Sequence, residues 1–324
     1  MPTAVVAIGG NSLVPANGRG TLEEQREALR VTCEGIADVL ACGYRVVVTH
    51  GNGPQVGDAW RRSELAAGEV EPLPLDVCVA ETQGSIGYLL QQTLEDTLRR
   101  RHLRQPVATI VTQVLVSRDD PAFACPTKPV GPVYSREEAE ERRTHLGWQM
   151  VEEVGRGYRR VVASPQPRGI VEFEAIRAAV ARECVVIACG GGGIPVELER
   201  NRLVGVEAVI DKDRASGLLA SELGAELLLI STSVDEVYLH YGKHWQRPLG
   251  RLGVEEARRH LAEGEFPPGS MGPKIEAALG YLERGGRLVI ITSPEKIRAA
   301  LEGAAGTRLT AHEQYAVLPL RPAA

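Results

Sequence analysis

Seven short runs of apolar residues recur along the chain, each ending in small or polar residues: Ala4–Ile8, Arg45–Thr49, Val107–Val116, Arg160–Ala163, Cys184–Ala188, Glu226–Ile230 and Leu288–Ile291. Valine and isoleucine dominate them and there is little alternation, the pattern of strands buried on both faces. Between them lie segments of helical period: Thr21–Ala41, which opens on a possible capping box in Thr21-Leu22-Glu23-Glu24, then Leu75–Leu103, Arg136–Glu153, Glu172–Ala181, Asp213–Leu223 and Pro273–Arg284. Strands alternating with helices predict an α/β fold built on a mainly parallel sheet covered on both faces. One stretch, about residues 117–157, breaks the rhythm. It carries Pro121, Pro126, Pro129 and Pro132 and then a charged helix from Arg136, so it reads as an insertion packed outside the main sheet.

With 324 residues, 44% of them hydrophobic and 24% charged, the chain can bury a large core. The net charge of −5 and an aromatic content of 4% argue against nucleic acid as the main partner, since that binding rests on phosphate neutralisation and base stacking. The six cysteines form no C-x-x-C pair and lie partly in apolar runs, which reads as reduced thiols. No apolar run reaches the ~20 residues of a membrane span, and the sequence reads as cytoplasmic.

The expected strand ends carry the chemistry. In open parallel sheets, ligands bind outside the carboxyl ends of the strands. Here those ends read Gly9-Gly10-Asn11-Ser12, His50-Gly51-Asn52-Gly53-Pro54 and Gly190-Gly191-Gly192-Gly193. Glycine lets backbone N–H groups come close to an anion, and helix N-termini favour negative charge. The first βα turn lacks G-x-G-x-x-G and no G-x-x-x-x-G-K-[S/T] occurs, which sets aside dinucleotide and P-loop folds. His240 and His244, four apart, lie in an irregular run and read as solvated side chains rather than metal ligands.

Basic residues add a second signal. The chain has five lysines among 37 basic residues, and Lys128, Lys212 and Lys274 fall in turn-like sequence rich in proline, glycine or aspartate. Where arginine is so favoured, a retained lysine marks a place where a compact ammonium meets a phosphoryl oxygen as a point charge. Lys243 and Lys296 have no such surroundings.

In combination and order, these motifs resemble carbamate kinase. The segments Ala7–Leu13, Thr49–Gly57, Glu81–Tyr88, Pro126–Pro132, Ala188–Val196, Val209–Asp213 and Gly269–Lys274 carry the resemblance, which holds from residue 4 to about 310. It implies the amino acid kinase fold, a three-layer αβα sandwich with a small protruding subdomain at 117–157. It also implies an N-terminal lobe (1–183) for carbamate and a C-terminal lobe (184–324) for the nucleotide. The implied reaction is reversible phosphoryl transfer between ATP and carbamate, giving ADP and carbamoyl phosphate, with Mg²⁺, in a homodimer. By the same resemblance, Lys128, Lys212, Lys274 and Asp211 would be catalytic. Gly9, Gly10, Asn11, Gly51, Asn52, Gly53, Gly191 and Gly192 would hold substrate and phosphoryl group. Ser233, Val237, Tyr241 and Met271 would join Asp211, Lys212 and Lys274 in holding the nucleotide, and no side chain is assigned as a metal ligand. Related kinases carry a first-strand lysine, where this chain reads Val6-Ala7-Ile8, so Lys128 would enter from the insertion in its place. Glu81, Thr82 and Gln166 depart from the family pattern, and Ala311–Ala324 extends past its usual end. The alternatives are another acyl-phosphate kinase of the same fold, acting on a different small carboxylate, and a nucleotide-binding regulator without turnover.

Overall fold

The computed structural model describes residues 1–10, 13, 20–153 and 157–311. Its centre is an eight-stranded sheet. In spatial order the strands are Arg251–Gly253, Thr307–Thr310, Leu288–Thr292, Leu227–Ser231, Thr3–Ile8, Arg45–His50, Val185–Ile187 and Val107–Thr109. All neighbours pair in parallel except Leu288–Thr292 with Thr307–Thr310.

The near-continuous apolar runs are explained by two cores, one on each face of this sheet. Along the first strand Val5 and Ala7 enter one core, and Ala4, Val6 and Ile8 enter the other. The first core is closed by helices Phe173–Ala181, Lys212–Glu222 and Gly272–Glu283, through residues such as Ile176, Leu219 and Ile275. The second is closed by Leu22–Ala41 and Leu75–Arg100, through Leu29, Ile36, Ile86 and Leu90. A strand with apolar neighbours on both sides cannot alternate in polarity. At Thr21 both bonds of the capping box form, with Glu24 N–H donating to Thr21 Oγ1 at 3.3 Å and Thr21 N–H to Glu24 Oε2 at 3.0 Å. Such a cap stabilises a helix start by about 1 kcal/mol.

Three expected elements differ. The run Val107–Val116 is two strands, not one. Val107–Thr109 ends the large sheet, and Gln113–Leu115 joins a four-stranded sheet beside Ile194–Glu199 and Gly169–Ile170. The break falls where polar side chains take over the backbone: Thr112 N–H donates to Gln83 Oε1 at 2.8 Å, and Gln113 N–H to Glu172 Oε2 at 2.7 Å. Apolarity alone carries no trace of that bend. Likewise Arg160–Ala163 belongs mainly to a strand, Gly157–Val162, of a separate three-stranded sheet with Lys128–Tyr134 and Met150–Glu153. The segment Arg136–Glu153 divides into helix Arg136–Leu146 and strand Met150–Glu153, because Gly147 takes the left-handed conformation (φ 65°) that ends a helix. The three-stranded sheet has a small apolar cluster of its own, Tyr134, Ala139 and Met150, with Trp148 and Tyr158 against it. Its outer strand Lys128–Tyr134 lies on helix Gly53–Ala66. Gly57 and Gly131 meet there so closely that a Cβ on Gly57 would stand 2.5 Å from Gly131 Cα.

Candidate active site

The chain leaves the first strand in one direction through Arg45–His50 and Val185–Ile187, and returns on its other side through Leu227–Ser231 and Leu288–Thr292. The glycine loops sit at the carboxyl ends of the adjacent strands around this reversal, the usual place for a ligand in such sheets. Gly9 N–H donates to Ser231 O and Gly51 N–H to Ile8 O, both at 3.1 Å, which ties these strand ends together. A Cβ on Gly51 would stand 3.7 Å from Gly10 N and 3.6 Å from Lys212 Cδ, so the first two loops and Lys212 share one floor.

The third loop closes against the second. Gly191 (φ 67°) and Gly192 (φ 93°) adopt a conformation that suits glycine, and a Cβ on Gly191 would stand 2.2 Å from Asn52 Nδ2. Asn52 is buried and donates through Nδ2 to Thr82 Oγ1 at 2.9 Å. Gln83 Nε2 donates to Gly190 O at 2.9 Å and Thr112 O at 3.0 Å. Thus Thr82, which departs from the family pattern, and its neighbour Gln83 supply two side chains that brace the loops. Gly53 opens helix Gly53–Ala66 with Pro54 in its first turn, so its N-terminal N–H groups face the same space. Asn11 lies outside the described residues.

The three singled-out lysines converge on two aspartates. Lys128 Nζ donates to Asp211 Oδ2 at 2.7 Å. Lys274 Nζ donates to Asp213 Oδ2 at 3.0 Å, and Lys212 Nζ pairs with the other oxygen of the same carboxylate. Asp211 also caps helix Lys212–Glu222, its Oδ1 accepting from Asp213 N–H at 2.9 Å and Arg214 N–H at 3.4 Å. None of the lysines lies in a turn, contrary to the sequence reading. Lys212 and Lys274 fall in the first turns of Lys212–Glu222 and Gly272–Glu283, and Lys128 begins a strand. The proline, glycine and aspartate around them mark the starts of these elements: Asp211 is an N-cap, Pro273 a first-turn proline, and Pro129 and Pro132 lie on an edge strand that tolerates proline.

Asp213 falls within the motif Val209–Asp213 without a role in the sequence reading, and it is the carboxylate that holds two of the three ammoniums. Burial would raise its pKa, but Lys212 and Lys274 outweigh burial and hold it well below the usual range. Burial pulls the Lys212 ammonium down, opposed by Asp213 and assisted by the like charge of Lys274. Lys274 is also desolvated, yet Asp213 carries it above the ordinary lysine value. For Asp211, burial is outweighed by Lys128, with Asp213 opposing, and the acid stays low. Beneath them His50 is fully buried with Nδ1 2.9 Å from Gly51 O. Burial brings its pKa down to about 4, the backbone contact opposes this and Lys212 adds to it, so the imidazole is neutral at pH 7.

A cavity of about 650 Å³ opens over this group, lined by Gly53 and Pro54, Lys128 and Gly131, Asp211 and Arg214, and Gly269 and Pro273. A smaller cavity of about 150 Å³ lies at the end of strand Leu227–Ser231, lined by Ser233, Tyr238, Tyr241, Phe266 and Met271 among others. Ser233, Tyr241 and Met271, which the resemblance implies hold the nucleotide, line this one cavity. Val237 does not line this cavity; it is wholly buried in the core on strand Val237–Leu239. Among the described residues no three His, Cys, Asp or Glu side chains cluster as a metal site. His240 pairs with Glu265 at 3.1 Å and His244 stacks edge-on against Trp245. No helix among the described residues is long and apolar enough to cross a membrane.

The model of the amino acid kinase family matches residues 2–293. The chain is 49% identical to the carbamate kinase-like protein YahI of Escherichia coli, over 94% of this chain and 98% of that one. It is 47% identical to the carbamate kinase of Pyrococcus furiosus over the same shares of the two chains. Among solved structures, carbamate kinase from Giardia lamblia bound to AMP-PNP superposes with a TM-score of 0.89 at 39% identity, covering 95% of this chain and 98% of that one.

Proposed function

The chain belongs to the amino acid kinase family and stands among its carbamate kinases, and from that premise we propose how its site carries phosphoryl between carbamate and a nucleotide. The observation that carries the reading is the convergence of three ammonium groups on Asp211 and Asp213 beside three glycine loops.

Phosphoryl transfer asks for positioning and charge neutralisation more than for covalent chemistry. In the direction of ATP synthesis, the bond between phosphorus and the carbamoyl oxygen of carbamoyl phosphate breaks. A new bond forms to a β-phosphate oxygen of ADP, and carbamate leaves. Backbone N–H groups of Gly10, Gly53 and Gly191 serve the anionic oxygens, while those of Gly9, Gly51 and Gly192 are spent on Ser231 O, Ile8 O and Cys189 O and fix the shape of the loops. The cavity bounded by Ser233, Tyr241 and Met271 takes the base of the nucleotide, and its phosphates run toward Lys274 and Lys212. Asp213 raises the Lys274 ammonium above its ordinary value despite burial and counters the pull of burial on Lys212. Lys128, held by Asp211, supplies the third positive charge from the outer sheet. The neutral His50 adds no charge to a floor already rich in it. Asp211 and Asp213 are both engaged by ammoniums, so Mg²⁺ would be held chiefly by the substrate phosphates and water, as it commonly is. Held so, it would supply further neutralisation of the phosphate oxygens.

The N-terminal lobe (1–183) is assigned to carbamate and the C-terminal lobe (184–324) to the nucleotide; the protruding subdomain, expected at 117–157, takes in the whole of strand Gly157–Val162 as well, because that strand is the middle one of its sheet. The molecule works as a cytoplasmic homodimer, and a role in arginine metabolism fits the reaction. The test is ATP formation from ADP and carbamoyl phosphate with Mg²⁺, beside trials of acetylglutamate and aspartate as acceptors from ATP. Turnover with carbamoyl phosphate alone supports the assignment. A folded sample that binds ADP and makes no ATP above the non-enzymatic background overturns it.

A further inference from the structure

Lys128 reaches the site from a sheet outside the main fold, so something must hold that sheet in place. The apolar contact beneath it is small: Val130 and Val162 pack with Val56, Trp60 and Val79. Above this cluster stands an unusual group. The Arg160 guanidinium carbon lies 3.6 Å from the Trp60 ring centroid and 4.2 Å from that of Trp148, and the two indoles are inclined by only 22° at 6.4 Å. Arg160 Nη1 also meets Glu64 Oε1 at 3.3 Å.

The members of this stack come from both sides of the joint. Trp60 and Glu64 belong to helix Gly53–Ala66, whose N-terminus forms part of the glycine floor. Arg160 and Trp148 belong to the outer unit. Arg160 pairs with Val130, and two residues further along the same strand Val162 pairs with Lys128. A shift at Arg160 is therefore passed through two rungs of a sheet to the residue that carries the ammonium. A planar cation faces two rings at once and keeps a carboxylate partner, which a lysine cannot reproduce in the same geometry.

We propose that the Trp60–Arg160–Trp148 stack is the clamp that sets where Lys128 stands, making Trp60 and Arg160 positioning residues for phosphoryl transfer. The proposal rests on the reading of Lys128 given above. Trp60 and Arg160 touch no reacting atom; they act through Lys128.

The experiment measures kcat, ADP affinity by calorimetry, and amide exchange in Trp60→Ala, Arg160→Gln and Trp60→Phe, with Trp60→Ala also placed in a Lys128→Ala background. A misplacement of about 1 Å can cost about 10²-fold in rate. Trp60→Ala and Arg160→Gln are expected to lower kcat on that scale while ADP affinity stays within about twofold. Trp60→Phe, which keeps an aromatic face, recovers most of the rate. In the Lys128→Ala background Trp60→Ala adds nothing further, because the residue it positions is gone. Amides of the edge strand Lys128–Tyr134 exchange faster in both clamp variants, while helix Lys212–Glu222 is unchanged. Losses that multiply in the double variant, or an unchanged exchange rate over Lys128–Tyr134, overturn the clamp. If one clamp variant fails to fold, the other and Trp60→Phe carry the same comparison. A wild type that makes no ATP overturns the kinase reading instead, and the exchange measurement then decides the clamp alone.

Discussion

Asp213→Asn removes one charge and almost no volume, so it isolates the electrostatic claim. Asp213 is 3% exposed and lies between two ammoniums, one of them 3.0 Å from its Oδ2. At an effective dielectric of ~20, a contact of that length is worth about 5 kcal/mol before desolvation. Removing one partner of a buried ion pair, and leaving the other uncompensated, costs about 3–5 kcal/mol. With the per-residue entropy of unfolding, a loss of about 4 kcal/mol lowers Tm by roughly 6 °C for a chain of this length. Activity has a separate signature. Without Asp213, burial and Lys274 act on Lys212 unopposed by their main counterweight, so its pKa falls further. The alkaline limb of the kcat profile then moves down in pH, and kcat at neutral pH drops by about 10²–10³-fold, the scale of one lost preorganised charge. Calorimetric melting and a pH series of ATP formation measure both. A variant with wild-type Tm and kcat within about threefold refutes the reasoning.

Lys212→Ala and Lys274→Ala are each expected to lower kcat by about 10²–10³-fold, with the exposed Lys243→Ala and Lys296→Ala as controls near wild type; equal small effects in all four would end the lysine argument. Lys128→Ala and Lys128→Arg are both expected to lower kcat strongly and to leave calorimetric ADP affinity nearly unchanged, since a planar fork does not replace a point charge; near wild-type turnover in Lys128→Arg counts against it. His50 binds its proton near pH 4 when folded and near 6.5 when unfolded, so the unfolded state takes up more protons between those values and stability falls as pH drops through that window. This amounts to about 2 kcal/mol between pH 7 and pH 5; His50→Asn is expected to flatten the denaturation midpoint over that range, and an unchanged slope would contradict it.

The strands of the main sheet were legible because residues buried on both faces must be apolar, and that leaves a mark in one dimension. The lysines stood out because arginine is used nearly everywhere else in the chain. Other features leave no local mark. A lysine followed by an aspartate reads as an ordinary surface pair, and only the packing of Lys212–Glu222 against Gly272–Glu283 turns Asp213 into a bridge to Lys274. The stack of Trp60, Trp148 and Arg160 joins residues about a hundred positions apart. Val237 was placed with the nucleotide through resemblance, but its strand turns it into the core. The bend at Thr112 depends on Gln83 and Glu172, both distant in sequence, so an apolar run could not disclose it.

The central claim is that Lys128, Lys212 and Lys274 together neutralise a phosphoryl group moving between carbamoyl phosphate and ADP. It is tested most directly by following phosphorus resonances during a reaction of carbamoyl phosphate with MgADP, in the wild type and in each alanine variant. The account predicts a growing γ-phosphoryl signal of ATP at the expense of carbamoyl phosphate in the wild type, and a rate lower by about 10²-fold or more in all three variants. A wild type that binds ADP and yields no γ-phosphoryl signal would contradict the account, as would variants that transfer phosphoryl as fast as the wild type.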